Sequence, residues 1–216
     1  RREVRRMTGA RESGPVLQVM AGGRHGGAET FFVSLVGAFA DAGISQAVAI
    51  RPHPERVAAL EAKGVPVTGF RFGGPLDLLT PFRLRRLTGR LRPRVVLAWM
   101  SRAAATMPRG PYPIVARLGN YYDLKYFRRC DHLVAITPDI ARFCRDGGWP
   151  DDRVHYIPNF ARIRRSSPID RAVFDTPTGV PLLLALGRLH ENKAMDVAIH
   201  AIAEVPRAHL WIAGEG

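Results

Sequence analysis

Very little in this chain points toward disulfides, metals or membranes. It has two cysteines, Cys130 and Cys144, among 216 residues, too few for a disulfide framework and in keeping with a reducing cytoplasm. No Cys-x-x-Cys pair accompanies His132 or His155, so a zinc site is not expected. No apolar run approaches the roughly 20 residues of a membrane span. The segment after Arg1–Arg6 is polar and glycine-rich, which excludes a signal peptide there. No Walker A, His-Glu-x-x-His or Gly-x-Ser-x-Gly pattern occurs, and His190-Glu191 has no second histidine one turn on. Lysine is nearly missing, at Lys63, Lys125 and Lys193 only, so a net charge of +13 rests on arginine.

Those arginines lie scattered over Arg83–Arg86, Arg90–Arg94, Arg128-Arg129 and Arg162–Arg165, with little aromatic interleaving. No nucleic-acid module surrounds them, and specific nucleic-acid binding is not expected. Solvated basic faces are one reading of the excess, and contact with an anionic membrane surface is the other. The basic amphipathic stretch Leu78–Leu91 also suits contact with an anionic membrane surface, where lipid-linked acceptors reside.

What is present is alternation. Short apolar runs at Val16–Met20, Gln46–Ile50, Val65–Phe70, Val95–Ala98, Ile114–Leu118, Leu133–Ile136 and Val154–Ile157 read as strands. Helical patterns separate them at Ala28–Ala40, Pro54–Ala62, Leu78–Leu91, Tyr122–Arg129 and Pro138–Arg145. Continuous apolar strands alternating with helices predict an α/β fold, a doubly wound parallel sheet buried on both faces. Residues 161–179 are rich in Arg, Ser, Pro and Thr and read as a linker. The organisation expected is an extension at 1–14, a Rossmann-like domain at 15–160, the linker, and the beginning of a second, truncated Rossmann-like domain at 180–216.

Ligands of doubly wound sheets bind outside the carboxyl ends of the strands. Two strand–glycine–helix units have the right chemistry there. The first is Gly22-Gly-Arg-His-Gly-Gly27, opening a helix that carries Glu29 in its first turn. The second is Leu184-Ala-Leu-Gly-Arg-Leu-His-Glu-Asn-Lys193. A glycine turn, a helix N-terminus and fixed cations are what a diphosphate requires. The first loop lacks the Gly-x-Gly-x-x-Gly spacing of dinucleotide sites. The second strand ends at Arg51, the residue that an NADP oxidoreductase reading would place on a 2′-phosphate.

Gly26-Gly27-Ala28-Glu29, Ile157-Pro158-Asn159, and Gly187-Arg188-Leu189 followed by Lys193 resemble, in order and spacing, the family 4 retaining glycosyltransferases. The resemblance runs from about Val16 to Gly216 and implies a GT-B fold of two Rossmann-like domains. It implies transfer of a sugar, with retention, from a nucleotide-diphosphate sugar to a cell-envelope glycan or lipid-linked acceptor, as in lipopolysaccharide or exopolysaccharide synthesis. The site it implies has Arg188 and Lys193 as catalytic cations on the diphosphate. Gly26, Gly27 and Glu29 are further donor-side residues, and His25, Ser101, Arg102, Asn120 and Tyr121 are acceptor-side candidates. No cofactor or metal is implied, because the two cations replace one. Two departures stand out. Lys193 is followed by Ala194 where the family usually has glycine, and the family's Glu-x7-Glu carboxylate pair has no counterpart before Gly216. The chain therefore reads as a fragment, inactive alone. The rival reading is a non-catalytic α/β module that binds a phosphorylated ligand.

Overall fold

The computed structural model describes residues 14–74, 77–161 and 166–216. The expected extension at 1–14 falls almost wholly outside the described residues, as do Arg162–Arg165 of the expected linker. The chain forms two compact units, the first ending at Ala161.

The first unit alternates strand and helix: β1 (Val16–Met20), α1 (Gly27–Asp41), β2 (Gln46–Ile50), α2 (Pro54–Glu61), β3 (Val67–Gly69), α3 (Leu79–Leu91), β4 (Val95–Trp99), α4 (Met100–Thr106), β5 (Ile114–Leu118), β6 (His132–Ala135), α5 (Pro138–Asp146) and β7 (Val154–Tyr156). All seven strands are parallel, in the order β3-β2-β1-β4-β5-β6-β7. This is the doubly wound sheet expected from the alternation. The order reverses between β1 and β4, where Met20 pairs with Ile50 on one side and Trp99 on the other. A crevice is therefore expected at the carboxyl ends of those strands.

Side chains on the two faces of the sheet feed two separate cores. Leu17, Val19, Ala47, Ala49, Val96 and Ala98 pack on one face with residues of α3, α4 and α5. Met20, Val48, Ile50 and Trp99 pack on the other with Phe32 and Val36 of α1 and Leu60 of α2. One buried polar chain crosses the apolar second face. The Trp99 indole N–H donates to Gln18 Oε1 (3.2 Å), Gln18 Nε2 to Gln46 Oε1 (2.9 Å), and Gln46 Nε2 to the Val36 carbonyl (2.7 Å). Every buried amide is thereby satisfied, and the chain fastens β4, β1, β2 and α1 to one another.

The sequence expectations need several local corrections. The helix expected at Tyr122–Arg129 is a single 3₁₀ turn, Leu124–Phe127. Asp123 accepts the Lys125 N–H and closes the turn locally. The strand expected at Val65–Phe70 pairs only over Val67–Gly69. A short helix that the sequence did not signal, α4, follows β4 directly. Thr137 caps α5 as its side chain suggests, accepting the Ile140 N–H at 3.1 Å, with Pro138 in the first turn.

The second unit contains β8 (Leu182–Leu186), α6 (Met195–Ala203) and β9 (His209–Ala213), with β8 and β9 paired in parallel. Part of the stretch read as linker belongs to this unit. Arg171–Phe174 forms a 3₁₀ turn, Arg171 donates to the Val180 carbonyl (2.8 Å), and the Trp211 indole donates to Thr176 Oγ1 (2.8 Å). Phe174 also meets Trp211 edge-on, with centroids 4.9 Å apart.

Ala194, the residue before α6, has φ 49° and ψ 42°. Left-handed backbone crowds a Cβ, which explains physically why glycine suits this position. Ala194→Gly should stabilise the start of α6 by about 1 kcal/mol. Amide exchange across Met195–Ala203 should slow by roughly fivefold; unchanged or faster exchange would mean that the strain is absent.

Candidate functional site

The glycine loop of the first unit is built around one carboxylate. Glu29 lies in the first turn of α1, where the helix dipole favours a negative charge, and its Oε1 accepts the Gly23 N–H at 2.8 Å. A Cβ on Gly22 would stand 2.6 Å from Glu29 Oε1, and one on Gly26 would press still closer on Oε2. A side chain at either position would displace the Glu29 carboxylate. From the other side, the buried Arg56 of α2 donates from Nη2 to the carbonyls of Gly23 (2.7 Å) and Arg24 (3.0 Å). Burial lowers the Arg56 pKa, an effect partly offset by Glu29. Glu29 and Arg56 together mould the loop.

Outside that mould stand Arg24, His25 and His53. Arg24 Nε donates to His53 Nε2 (3.2 Å), and the two imidazoles meet edge-on at 5.4 Å. These side chains line an open cavity of about 300 Å³ that also includes Thr30 and Ser34. Arg51 is engaged elsewhere: Nε and Nη2 donate to the carbonyls of Arg71 (3.1 Å) and Phe72 (2.8 Å). The residue on which the NADP reading depended is thus committed to the backbone of the loop after β3.

A second cavity, of about 210 Å³, opens at the carboxyl ends of β4 and β5, beside the start of α1. Phe31, Trp99, Met100 and Ile136 give it apolar walls, and Arg117 and Asn159 its polar groups. Arg117, on β5, is only 6% exposed. Its guanidinium carbon lies 4.6 Å from the Phe31 ring centroid and 5.5 Å from that of Trp99, and Nη2 donates to Asn159 Oδ1. Burial pushes its pKa down to about 10. Asn159 belongs to the Ile157-Pro158-Asn159 motif, and the Ile157 N–H bonds the Ala135 carbonyl at 3.0 Å. The sequence reading missed Arg117 and Arg56. The signal for the first was one charge inside an otherwise apolar strand, Ile-Val-Ala-Arg-Leu.

The acceptor-side candidates are distributed around this edge. Ser101 and Arg102 sit in the first turn of α4, Ser101 partly buried and Arg102 exposed. Asn120 is exposed, its Oδ1 accepting the Tyr121 N–H at 2.8 Å. Tyr121 is 56% exposed; its hydroxyl donates to Asp139, which raises its pKa, and its ring meets Phe143 edge-on. Tyr122 instead packs half-buried against the core beside Phe127.

In the second unit, β8 ends at Leu186 and delivers Gly187 and Arg188 to its carboxyl edge. The Gly187 N–H bonds the Ala213 carbonyl (3.0 Å), and the Leu189 N–H bonds that of Glu215 (2.9 Å). Lys193 closes the 3₁₀ turn Glu191–Lys193 immediately before α6, and His190 Nδ1 accepts the Asn192 N–H at 3.2 Å. Arg188 and Lys193 are both exposed, and among the described residues neither enters an ion pair. Two cations at a strand's end and a helix's start are an arrangement fit for anionic oxygens. Among the described residues no group of three or more His, Cys, Asp or Glu could hold a metal ion. Cys130 and Cys144 are buried and free, their thiols pushed up to about 12 and about 11 by burial.

Comparison with known proteins identifies relatives of the chain. The chain is 37% identical over 198 residues to the lipopolysaccharide core biosynthesis glycosyltransferase LpsE of Rhizobium meliloti (strain 1021), covering 90% of this chain and 58% of LpsE. It is 36% identical over 197 residues to LpsD of the same organism, covering 90% of this chain and 57% of LpsD. The chain thus spans a little under three-fifths of the curated relatives it matches. Among solved structures, Anabaena Alr3699/HepE in complex with UDP and glucose superposes with a TM-score of 0.72 at 18% identity, covering 94% of this chain and 61% of that one. The lipopolysaccharide outer core galactosyltransferase WaaB superposes with a TM-score of 0.67 at 16% identity, covering 94% and 61%. These likenesses show the fold, which is of the GT-B type. The model of Glycosyltransferase Family 4 matches residues 25–165, from the glycine loop through the Ile157-Pro158-Asn159 motif, and the chain belongs to that family.

Proposed function

We propose that the whole protein is a retaining glycosyltransferase of lipopolysaccharide core synthesis, moving a sugar from a nucleotide-diphosphate sugar to a growing glycan or lipid-linked acceptor. The observation that carries this reading is the likeness to LpsE and LpsD across nine-tenths of the chain. A nucleotide-diphosphate donor accords with the fold shared with HepE, which was solved with UDP and with glucose. In this reading the first unit serves the acceptor and the second unit the donor. His25, Ser101, Arg102, Asn120 and Tyr121 are the acceptor-side groups.

Breaking the anomeric bond leaves negative charge on the departing diphosphate. Arg188 and Lys193 are the groups proposed to meet that charge as it grows. Glu29 acts on the donor side through the loop that it shapes. Two fixed cations perform the neutralisation that a divalent metal would otherwise supply, so the reaction is metal-independent. The test is turnover of candidate nucleotide sugars by the whole protein, with product anomers read by NMR. Retained configuration and rates unaffected by EDTA are expected. Inverted product would remove the retaining assignment, EDTA inhibition the metal-free one. Donor binding with no turnover on any core acceptor would favour the non-catalytic binding module.

Replacing Arg188 or Lys193 by alanine in the whole protein should lower turnover by roughly 100- to 1,000-fold, the usual loss for one preorganised oxyanion contact. Acceptor KM should change far less. Lys193→Arg should recover only part of the loss, because a planar fork does not replace a compact ammonium. Near-normal turnover in both alanine variants would show Arg188 and Lys193 to be structural.

The protein also works at an anionic membrane surface, in this reading, through α3. Leu78 (81% exposed), Leu79 (70%) and Phe82 (59%) point away from the core that holds Leu84 and Leu87. Arg85, Arg86 and Arg90 lie beside them, and none enters an ion pair among the described residues. At about 1 kcal/mol per arginine near an anionic surface, replacing all three by glutamine should weaken binding to phosphatidylglycerol vesicles on the order of 100-fold. Co-sedimentation that is indifferent to both these charges and salt would count against the contact.

A further inference from the structure

We propose that the cavity lined by Arg117, Asn159, Phe31 and Trp99 is an oxyanion subsite that takes the phosphate or carboxylate of an acidic acceptor sugar. Four observations converge on it.

Arg117 is a buried guanidinium with no carboxylate partner. It enters no ion pair among the described residues, and burial alone accounts for its lowered pKa. A buried cation without a counter-ion is costly, and an incoming anion removes that cost. Second, the guanidinium is held but not used up. Nη2 is spent on Asn159, while Nε and Nη1 make no hydrogen bond to described residues. Among the described residues no side-chain nitrogen sealed from solvent lacks a partner, so these remaining N–H groups keep contact with solvent, and Arg117 lines the cavity. Third, the Phe31 and Trp99 rings flank the guanidinium, with centroids 4.6 and 5.5 Å from its central carbon, and hold it in place beside the cavity while its N–H groups other than the one given to Asn159 stay available to an anion.

Size decides what enters. About 210 Å³ is below the roughly 300–1,000 Å³ of sites that enclose a whole small ligand, so the cavity suits one acidic group with part of its sugar ring. A nucleotide diphosphate does not fit. Water supplies acceptor oxygens but no charge, whereas phosphate and carboxylate supply both. Assigning that group to the acceptor rests on the glycosyltransferase reading; the oxyanion chemistry does not.

Trp99 lines the cavity and reports on it. The 216-residue chain is titrated with inorganic phosphate, glucose 6-phosphate, glucuronate and glucose, following tryptophan fluorescence, with Trp99→Phe as the signal control. Saturable millimolar binding is expected for one or more of the anions and none for glucose. Comparing glucose 6-phosphate with glucuronate tells whether phosphate or carboxylate is the preferred group. Arg117→Gln should weaken binding at least tenfold, and Arg117→Lys, which keeps the charge but not the planar fork, should retain only part of it. Asn159→Asp supplies a second arm that separates loss of the site from loss of the fold. It places a carboxylate against the guanidinium, so it should raise the melting temperature while weakening anion binding at least tenfold. Anion binding unchanged in Arg117→Gln or in Asn159→Asp, or no saturable anion binding at all, overturns the subsite. Arg117-dependent anion binding in a whole protein that transfers no sugar would retire the glycosyltransferase reading and leave the subsite standing.

Discussion

Parallel pairing is the constraint from which the rest of the first unit follows. A strand can rejoin its neighbour in the same direction only by crossing over the sheet, so each connection carries a helix or a long loop on one face. With all seven strands parallel, every carboxyl end lies on one edge. The chain doubles back between β1 and β4, and the loops there part to leave a crevice. The glycine loop, the start of α4 and the Arg117 cavity all collect at that edge for the same topological reason. The central strands are covered on both faces, so their residues are mostly apolar, and any polar residue among them must be answered individually.

Three such strand residues, Gln18, Gln46 and Arg117, and the buried Arg56 of α2 are answered in different ways. Gln18 and Gln46 answer each other and end on a carbonyl and an indole, so their cost is met within the protein. Arg56 spends its charge on the carbonyls of the glycine loop. Arg117 is answered only in part, by two aromatic faces and one amide oxygen. Partial satisfaction in a cavity is the physical signature that separates a binding residue from a structural one.

Legibility from sequence followed the physics of each feature. Seven strands and most helices could be placed because doubly buried strands give continuous apolar runs and their helices give clear caps, as at Thr137-Pro138. The Tyr122–Arg129 helix failed because a side-chain turn at Asp123 competes locally with helix, and composition does not register that competition. The glycine loop and Ile157-Pro158-Asn159 were visible as motifs because their chemistry is local. Arg117 was not, because it lies on β5 and meets its partners from α1, β4 and the segment after β7 only in the folded state. Arg56 likewise carries no signal until the loop that it holds is seen, and Arg51, read as a candidate for a 2′-phosphate, proves to hold backbone carbonyls instead.

The mould formed by Glu29 has a consequence for how such a loop can vary. The positions facing the carboxylate, Gly22 and Gly26, admit no side chain without displacing it. Gly23 offers its N–H and carbonyl to fixed partners, and Arg56 also holds the Arg24 carbonyl. Chemical diversity in this loop is therefore carried most directly by the side chains of Arg24 and His25, which hang outward from a backbone they do not determine, while Gly23 and Gly27 leave room for a side chain. A protein with this loop can exchange what it presents to a ligand at two adjacent residues while its fold stays indifferent, which makes recognition and stability separately adjustable at this edge of the sheet.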